Sequence, residues 1–164
     1  MPALVAGIHV FTMWRHSIDV DGRNKSGHDE GRGKAMQKSF VRGARAQTRA
    51  YSPAVITAGA ARTIWLAGHT GVVDEAGKSL AGDFDGQCRQ TFRNIEKTLA
   101  EAGAKLADLV TMTVFLIDAR HTTRMTELRA EILGKDFPAS AAITVAGFAL
   151  PDMMIEIQAV AVAA

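Results

Sequence analysis

One carboxylate stands inside an apolar strand pattern near the C-terminal end of the chain. Residues 153–162 alternate in a way typical of a β-strand, and Glu156 shares a face with Met154, Gln158 and Val160. A carboxylate is costly to bury unless it is paired or used, so Glu156 is the main candidate for chemistry. In a partly dry cleft it could hold a water molecule and accept its proton. The alternative is a half-polar face on which Glu156 touches water or a neighbouring subunit.

Two further side chains could bind or transfer protons. Tyr51 is the only tyrosine, and its phenol could hydrogen-bond a bound ligand, or could simply pack at the start of the first strand. His69 carries an imidazole, which could serve as an acid or base, or it could be only a loop residue. If His69 and Glu156 face one cavity, they form a candidate pair for proton transfer.

Other kinds of site find little support in the residue spacing. The chain contains no Walker A or GxGxxG pattern, and its five histidines lack CxxC or HExxH partners. We therefore predict no cofactor and no metal, although tertiary structure or a subunit contact could still assemble metal ligands. The single cysteine, Cys88, falls on the apolar face of a predicted helix, which indicates packing more than nucleophilic chemistry.

Cysteine content and hydropathy bear on the compartment. One cysteine cannot form an intrachain disulfide, which fits a reducing cytoplasm. No apolar run approaches the ~18 residues of a membrane helix, and the start of the chain lacks the pattern of a signal peptide. We expect a cytoplasmic protein with no membrane partner.

Charge divides the chain into two regions. Residues 1–50 carry a net charge of +5 and residues 51–164 a net charge of −3. Residues 1–35 are Gly-rich and charged in their second half, which predicts a poorly ordered extension, and Met36 is a plausible true start. We predict a basic lead-in over 36–48 and a folded domain over 49–164. Nucleic acid is an unexpected partner for this acidic domain, although the basic tail could contact RNA.

Periodicity predicts strands and helices in the order β-β-α-β-α-β-β. A hairpin is expected over 54–67, a long helix over 84–102 and a second helix over 122–133. The strands of 109–117, 141–146 and 153–162 complete the set. The two helices can cover one face of a mixed sheet, an α+β fold. The other face, to which we assign Val110, Met112 and Val114, would then need other subunits to cover it.

Three short segments resemble the Rid (RidA/YjgF) family. They are Phe-Pro-Ala-Ser at 137–140 with the following strands, Tyr-Ser-Pro-Ala-Val at 51–55, and Gly-His at 68–69. The resemblance spans about residues 49 to 162. It implies a chorismate-mutase-like α+β domain assembled as a homotrimer, with small-molecule clefts between adjacent subunits. It also implies a deaminase that hydrolyses imines or enamines.

The resemblance assigns roles to particular residues. Glu156 would orient the attacking water, Tyr51 would line the cleft, and Gly68 would let the backbone approach a ligand closely. Glu127 occupies roughly the place of a cleft asparagine in the family, or is simply an exposed helical residue. His69 replaces a glutamine that is usual in the family.

Ser140 stands where active family members have an arginine that binds the substrate carboxylate. Losing a charged partner of a bound carboxylate typically costs about 2–5 kcal/mol. The cleft, with Ala142 nearby, should then be wider and more neutral. We therefore expect hydrolysis of a reactive imine or enamine without a carboxylate, and weak activity on 2-aminoacrylate. The alternatives are a non-catalytic metabolite-binding trimer and an RNA-directed protein that uses the basic tail.

Overall fold

The computed structural model describes residues 34–42 and 49–164. Most of the predicted extension, residues 1–35, lies outside these ranges. The main elements are β1 (Gln37–Val41), β2 (Ala54–Ala58), β3 (Arg62–His69), α1 (Phe84–Glu101), β4 (Leu109–Leu116), α2 (Thr122–Leu133), β5 (Ala139–Thr144) and β6 (Ile155–Ala163). Short 3-10 turns precede β4 (Leu106–Asp108) and α2 (Ala119–His121).

Both helices form where the 3.6-residue period predicted them. The Asp83 carboxylate accepts a hydrogen bond of 2.9 Å from the Gly86 amide, which caps α1. Gly103 follows the helix with φ of +67°, and Gly134 follows α2 with φ of +71°, backbone angles that glycine adopts at little cost. Cys88 lies on the buried face of α1, as predicted. The other apolar residues of that face are Phe84, Phe92, Ile95 and Leu99.

The principal sheet has four strands in the order β3-β6-β4-β5. β4 and β5 are parallel, whereas β6 runs antiparallel to both β3 and β4. The helices pack on one face of this sheet and bury alternate residues of its central strands. The predicted α+β fold, with a mixed sheet and two helices on one face, is confirmed.

The predicted pairing of the first two strands is wrong. β2 pairs antiparallel with β1, which lies inside the predicted basic lead-in, and β3 instead pairs with β6. The sequence of residues 59–62 is compatible with a turn, so local chemistry suggested a hairpin. The partner of a strand depends on non-local contacts, which local turn signals do not report.

The prediction of which β4 side chains point away from the helices also requires correction. Met112 and Val114 lie on the helix face and are almost completely buried, whereas Thr111, Thr113 and Phe115 lie on the opposite face. The two threonines of β4 share that opposite face, but the apolar residues on both sides of them make this alternation a weak signal in the sequence. The pairing of Phe115 with Glu156 places both residues on the face without helices, called here the open face.

The open face exposes large apolar side chains in the single chain. Trp65 on β3 is 79% exposed and Ile143 on β5 is 46% exposed. Pairing with Val160 and Phe115 respectively places both side chains on this face. Such a surface on a small domain indicates a protein partner. Among the described residues, no helix is long and apolar enough to span a membrane.

Candidate functional site

Glu156 lines a shallow cleft on the open face. The cleft has a volume of about 300 Å³, and its walls are Phe115 on β4 and the segment that follows β5, including Phe148. Glu156 is half-buried, and within the described part of the chain its carboxylate has no hydrogen bond or ion pair. A carboxylate beside aromatic walls, with its oxygens free, can hold a water molecule and accept a proton.

Gly68 leaves the space that the Glu156 side chain occupies. A Cβ atom built at Gly68 would lie 1.7 Å from Glu156 Oε1. No real pair of these atoms can approach so closely, so the absence of a side chain at position 68 lets the carboxylate lie against β3. The structure therefore brings together two of the residues that the sequence selected.

We expect Gly68→Ala to impair the site while leaving the fold intact. The colliding atom is the far end of a flexible side chain, so Glu156 can turn away at small cost in stability. The melting temperature should change little, whereas the imine hydrolysis that the family resemblance suggests should fall about tenfold or more. Because both changes act on one carboxylate, Gly68→Ala combined with Glu156→Gln should be no slower than Glu156→Gln alone. Fully additive losses would show that Gly68 acts independently of Glu156.

A buried glutamine on α1 holds the segment that leads into β6. Gln87 Nε2 donates to the carbonyl oxygens of Leu80 (3.0 Å) and Asp152 (2.7 Å), and its Oε1 accepts from the Met154 amide at 2.9 Å. These hydrogen bonds hold the end of the loop before β6 at Met154, which lies two residues before Glu156. The sequence analysis missed Gln87, although a polar residue one position before the buried Cys88 was a signal of a buried polar contact.

His69 does not share the cleft with Glu156. Its Nε2 lies 2.9 Å from Thr98 Oγ1 on α1, and its Nδ1 lies 2.9 Å from the carbonyl oxygen of Ala67. It also pairs in register with Ile157, which faces the helices. The structure therefore places the imidazole and the Glu156 carboxylate on opposite faces of the sheet.

Ser140 likewise faces the helices, in register with Met112 on β4. Its Oγ accepts a hydrogen bond of 2.7 Å from Arg129 Nη1. Arg129 belongs to α2 and was not selected from the sequence, because an arginine in a helix is usually an exposed residue. A guanidinium group thus lies beside the position where the sequence predicted that positive charge was missing.

Tyr51 lies at the same end of β5 as Ser140. The neighbouring Ser52 is tied to β5, since its amide donates to Pro138 O at 3.1 Å and its hydroxyl donates to Phe137 O at 2.6 Å. The preceding Ala50 is buried and has φ of +51°, an angle that alanine rarely adopts. Tyr51 and Phe137 line a small cavity of about 180 Å³ that is separate from the Glu156 cleft.

The two remaining candidates lie at exposed positions. Glu127 on α2 forms an ion pair of 2.7 Å with Arg124, and its side chain is half exposed. Ala142 is exposed on β5, in register with Val114 on the helix face. Neither residue lines the Glu156 cleft in the single chain.

The thiol and the possible metal ligands are the remaining groups to place. Cys88 is fully buried, and burial raises the pKa of its thiol to about 12, so the thiolate is not available near neutral pH. Within residues 34–42 and 49–164, no group of three or more His, Cys, Asp or Glu side chains is arranged to hold a metal ion.

Comparison with known proteins gives a consistent result. Residues 42–163 match the family model described as Endoribonuclease L-PSP. A RutC family protein of Pyrococcus abyssi is 37% identical over 99 residues, which cover 60% of this chain and 76% of that protein. The human 2-iminobutanoate/2-iminopropanoate deaminase is 34% identical over 113 residues, which cover 68% of this chain and 79% of that protein.

Solved structures agree with this assignment. A protein of the conserved Rid family from Yersinia pestis superposes with a TM-score of 0.66 at 25% identity, covering 76% of this chain and 97% of that chain. A YjgF/YER057c/UK114 family member from Mycobacterium tuberculosis gives a TM-score of 0.54 at 28% identity, with coverage of 76% and 98%. The chain therefore belongs to the Rid family, which also includes the RutC and UK114 proteins.

Proposed function

We propose that the protein hydrolyses a small, reactive imine or enamine, with Glu156 holding and deprotonating the attacking water. Membership of a family that includes 2-iminobutanoate/2-iminopropanoate deaminases supports an imine deaminase-type role. The observation that carries the proposal is the half-buried Glu156 carboxylate, which has no partner in the described part of the chain and lines an open cleft.

The reaction needs only water and a group that accepts and returns a proton. Water attacks the imine carbon, a C–O bond forms, and Glu156 takes the proton that the water loses. Returned to the nitrogen, this proton completes a carbinolamine. Glu156 then carries the remaining hydroxyl proton to the nitrogen, so that ammonia leaves as the C–N bond breaks and a carbonyl remains. An enamine first takes a proton at carbon and becomes the imine. Cys88 and His69 have no part in this scheme, since Cys88 is fully buried in the core and both ring nitrogens of His69 lie within hydrogen-bond distance of Thr98 and Ala67.

We propose a homotrimer with clefts between adjacent subunits. Within one chain, Glu156 lies on the open face and Ser140 on the helix face, so a site that contains both needs two copies. The exposed Trp65 and Ile143 give the open face an apolar surface that a second copy would cover. The family resemblance supports the same assembly.

The expectation of a neutral substrate rested on a premise that does not hold. The sequence suggested that no guanidinium lies near Ser140, but Arg129 donates to its hydroxyl at 2.7 Å. This contact is less direct than a bidentate arginine–carboxylate pair. We therefore propose that a carboxylate-bearing imine is accepted, but is bound more weakly than by an arginine at position 140.

The RNA-directed alternative loses part of its basis. Two cations of the basic lead-in contact the folded domain, since Lys38 donates to the carbonyl oxygens of Ala107 and Leu109, and Arg42 pairs with Asp136 at 2.7 Å. These charges are less available to a phosphate backbone. Because the matching family model is described as an endoribonuclease, RNA binding is included below among the possible outcomes of the experiment, but it is not our proposal.

The decisive measurement is ammonia release from imines generated in solution by an amino-acid oxidase. We expect the full-length protein to accelerate hydrolysis and to yield the carbonyl product in equal amount with ammonia. A compound that raises the melting temperature and is recovered unchanged, with no acceleration for any imine, would favour a metabolite-binding trimer. Salt-sensitive RNA binding without turnover would favour the RNA-directed function.

A further inference from the structure

Among the described residues, no opposite charge lies beside the buried guanidinium of Arg129. The residue is 4% exposed, its Nη1 donates to Ser140 Oγ at 2.7 Å, and its Nη2 donates to the Arg49 carbonyl at 2.6 Å. Its Nε is buried and has no hydrogen-bond partner within residues 34–42 and 49–164. Buried arginines are usually paired with carboxylates, because an uncompensated buried charge is strongly unfavourable.

The acidic groups around Arg129 do not supply the missing charge. Three carboxylates of the two helices, Asp85, Glu127 and Glu131, are paired with other cations. Those pairs are Arg124 with Asp85 and Glu127, and Arg89 with Glu131. The thiol of Cys88 stays protonated, since burial raises its pKa to about 12. Burial lowers the pKa of Arg129 to about 10, so the guanidinium remains charged at neutral pH.

The hydrogen bond to Ser140 gives this charge a way to act on a ligand. Because Oγ accepts from Arg129, the hydroxyl must turn its own hydrogen towards another acceptor. Ser140 is half-buried on β5, an edge strand of the sheet, and Tyr51 lies at the same end of that strand. An acceptor bound at the Ser140 hydroxyl would therefore sit within the field of a guanidinium that little water screens.

We propose that Arg129 is a specificity-determining, positioning residue that makes the Ser140 hydroxyl select small carboxylates over neutral ligands of the same shape. The inference rests on the proposed function only in placing Ser140 at the substrate cleft. The charge comes from α2 and acts through serine, so the anion contacts a hydroxyl instead of a guanidinium. Arg129 also holds the Arg49 carbonyl, which fixes the turn before Tyr51.

The test measures binding of two matched probes, 2-oxobutanoate and 2-oxobutanamide, by calorimetry on the full-length protein. Wild type should bind the carboxylate about tenfold more tightly than the amide. Arg129→Met should remove this preference, and Arg129→Lys should retain part of it because the charge remains. Equal affinities in wild type, or an unchanged preference in a folded Arg129→Met variant, would overturn the proposal.

Two further variants separate recognition from folding and from net charge. Ser140→Ala keeps Arg129 and its hydrogen bond to the Arg49 carbonyl, and it should lose the preference for the carboxylate probe. That loss would be assigned to the hydroxyl even if the Arg129→Met variant failed to fold. Arg93→Met removes a charge from the exposed side of α1 and should leave the preference unchanged. An unchanged preference in Ser140→Ala would also refute the proposal.

Turnover distinguishes this inference from the proposed function. A carboxylate preference that depends on Arg129, without hydrolysis of any imine, would sustain the inference and refute the catalytic proposal. Hydrolysis that is equally fast for an imino acid and for its amide would sustain the catalytic proposal and refute the inference about Arg129.

Discussion

Replacing Glu156 with glutamine should lower kcat/KM for imine hydrolysis by about 100- to 10,000-fold, the range expected when a general base is lost. Glutamine has nearly the same shape, so it fills the space over Gly68 but cannot accept a proton from water. The fold should be retained, because within the described residues Glu156 has no ion pair to lose. Steady-state ammonia release and a thermal melt measure the two effects.

The matched control is Glu101→Gln, which removes the same charge at the exposed end of α1. It should leave turnover within a factor of about two of wild type, as expected for an exposed residue away from the site. If Glu156→Gln turned over a processed substrate at the wild-type rate, Glu156 would have no catalytic role, and another group would have to activate the water.

The second large effect is expected from Trp65→Glu. Trp65 is 79% exposed on the open face of the single chain, and we propose that another copy covers this face. A carboxylate buried there would lack a partner, which costs several kcal/mol at each contact. Sedimentation should show a shift from trimer to monomer, and imine turnover should fall more than tenfold because the cleft needs two copies.

An equivalent change elsewhere tests whether position or charge matters. Val73 is a 48% exposed apolar residue in the loop after β3, and Val73→Glu should leave both assembly and turnover unchanged. A Trp65→Glu protein that remained trimeric would refute the proposed use of the open face. A monomeric variant with full turnover would show that one chain contains the complete site.

Local sequence patterns predicted the helices well. The apolar residues from Phe84 to Leu99 recur at helical spacing and form the buried face of α1. Asp83 and Gly134 lie at helix ends, where capping favours such residues. These signals arise within a few residues of each other, so the chain reports them directly.

Contacts between distant segments could not be read in the same way. The pairing of β2 with β1, the facing of Met112 and the bond between Arg129 and Ser140 each depend on where the sheet places a remote partner. The residue types at 140 and 129 were visible, but their proximity was not, because eleven positions and a change from helix to strand separate them.

The opposite orientation of Glu156 and Ser140 has a consequence for mixed populations. In a ring of three copies, each chain would give its carboxylate to one cleft and its hydroxyl to another. A single defective subunit would therefore inactivate a cleft that it shares with an intact neighbour, and mixing defective chains with normal ones would lower the activity of the normal chains. Conversely, chains with complementary defects could together rebuild one intact cleft that neither could form alone.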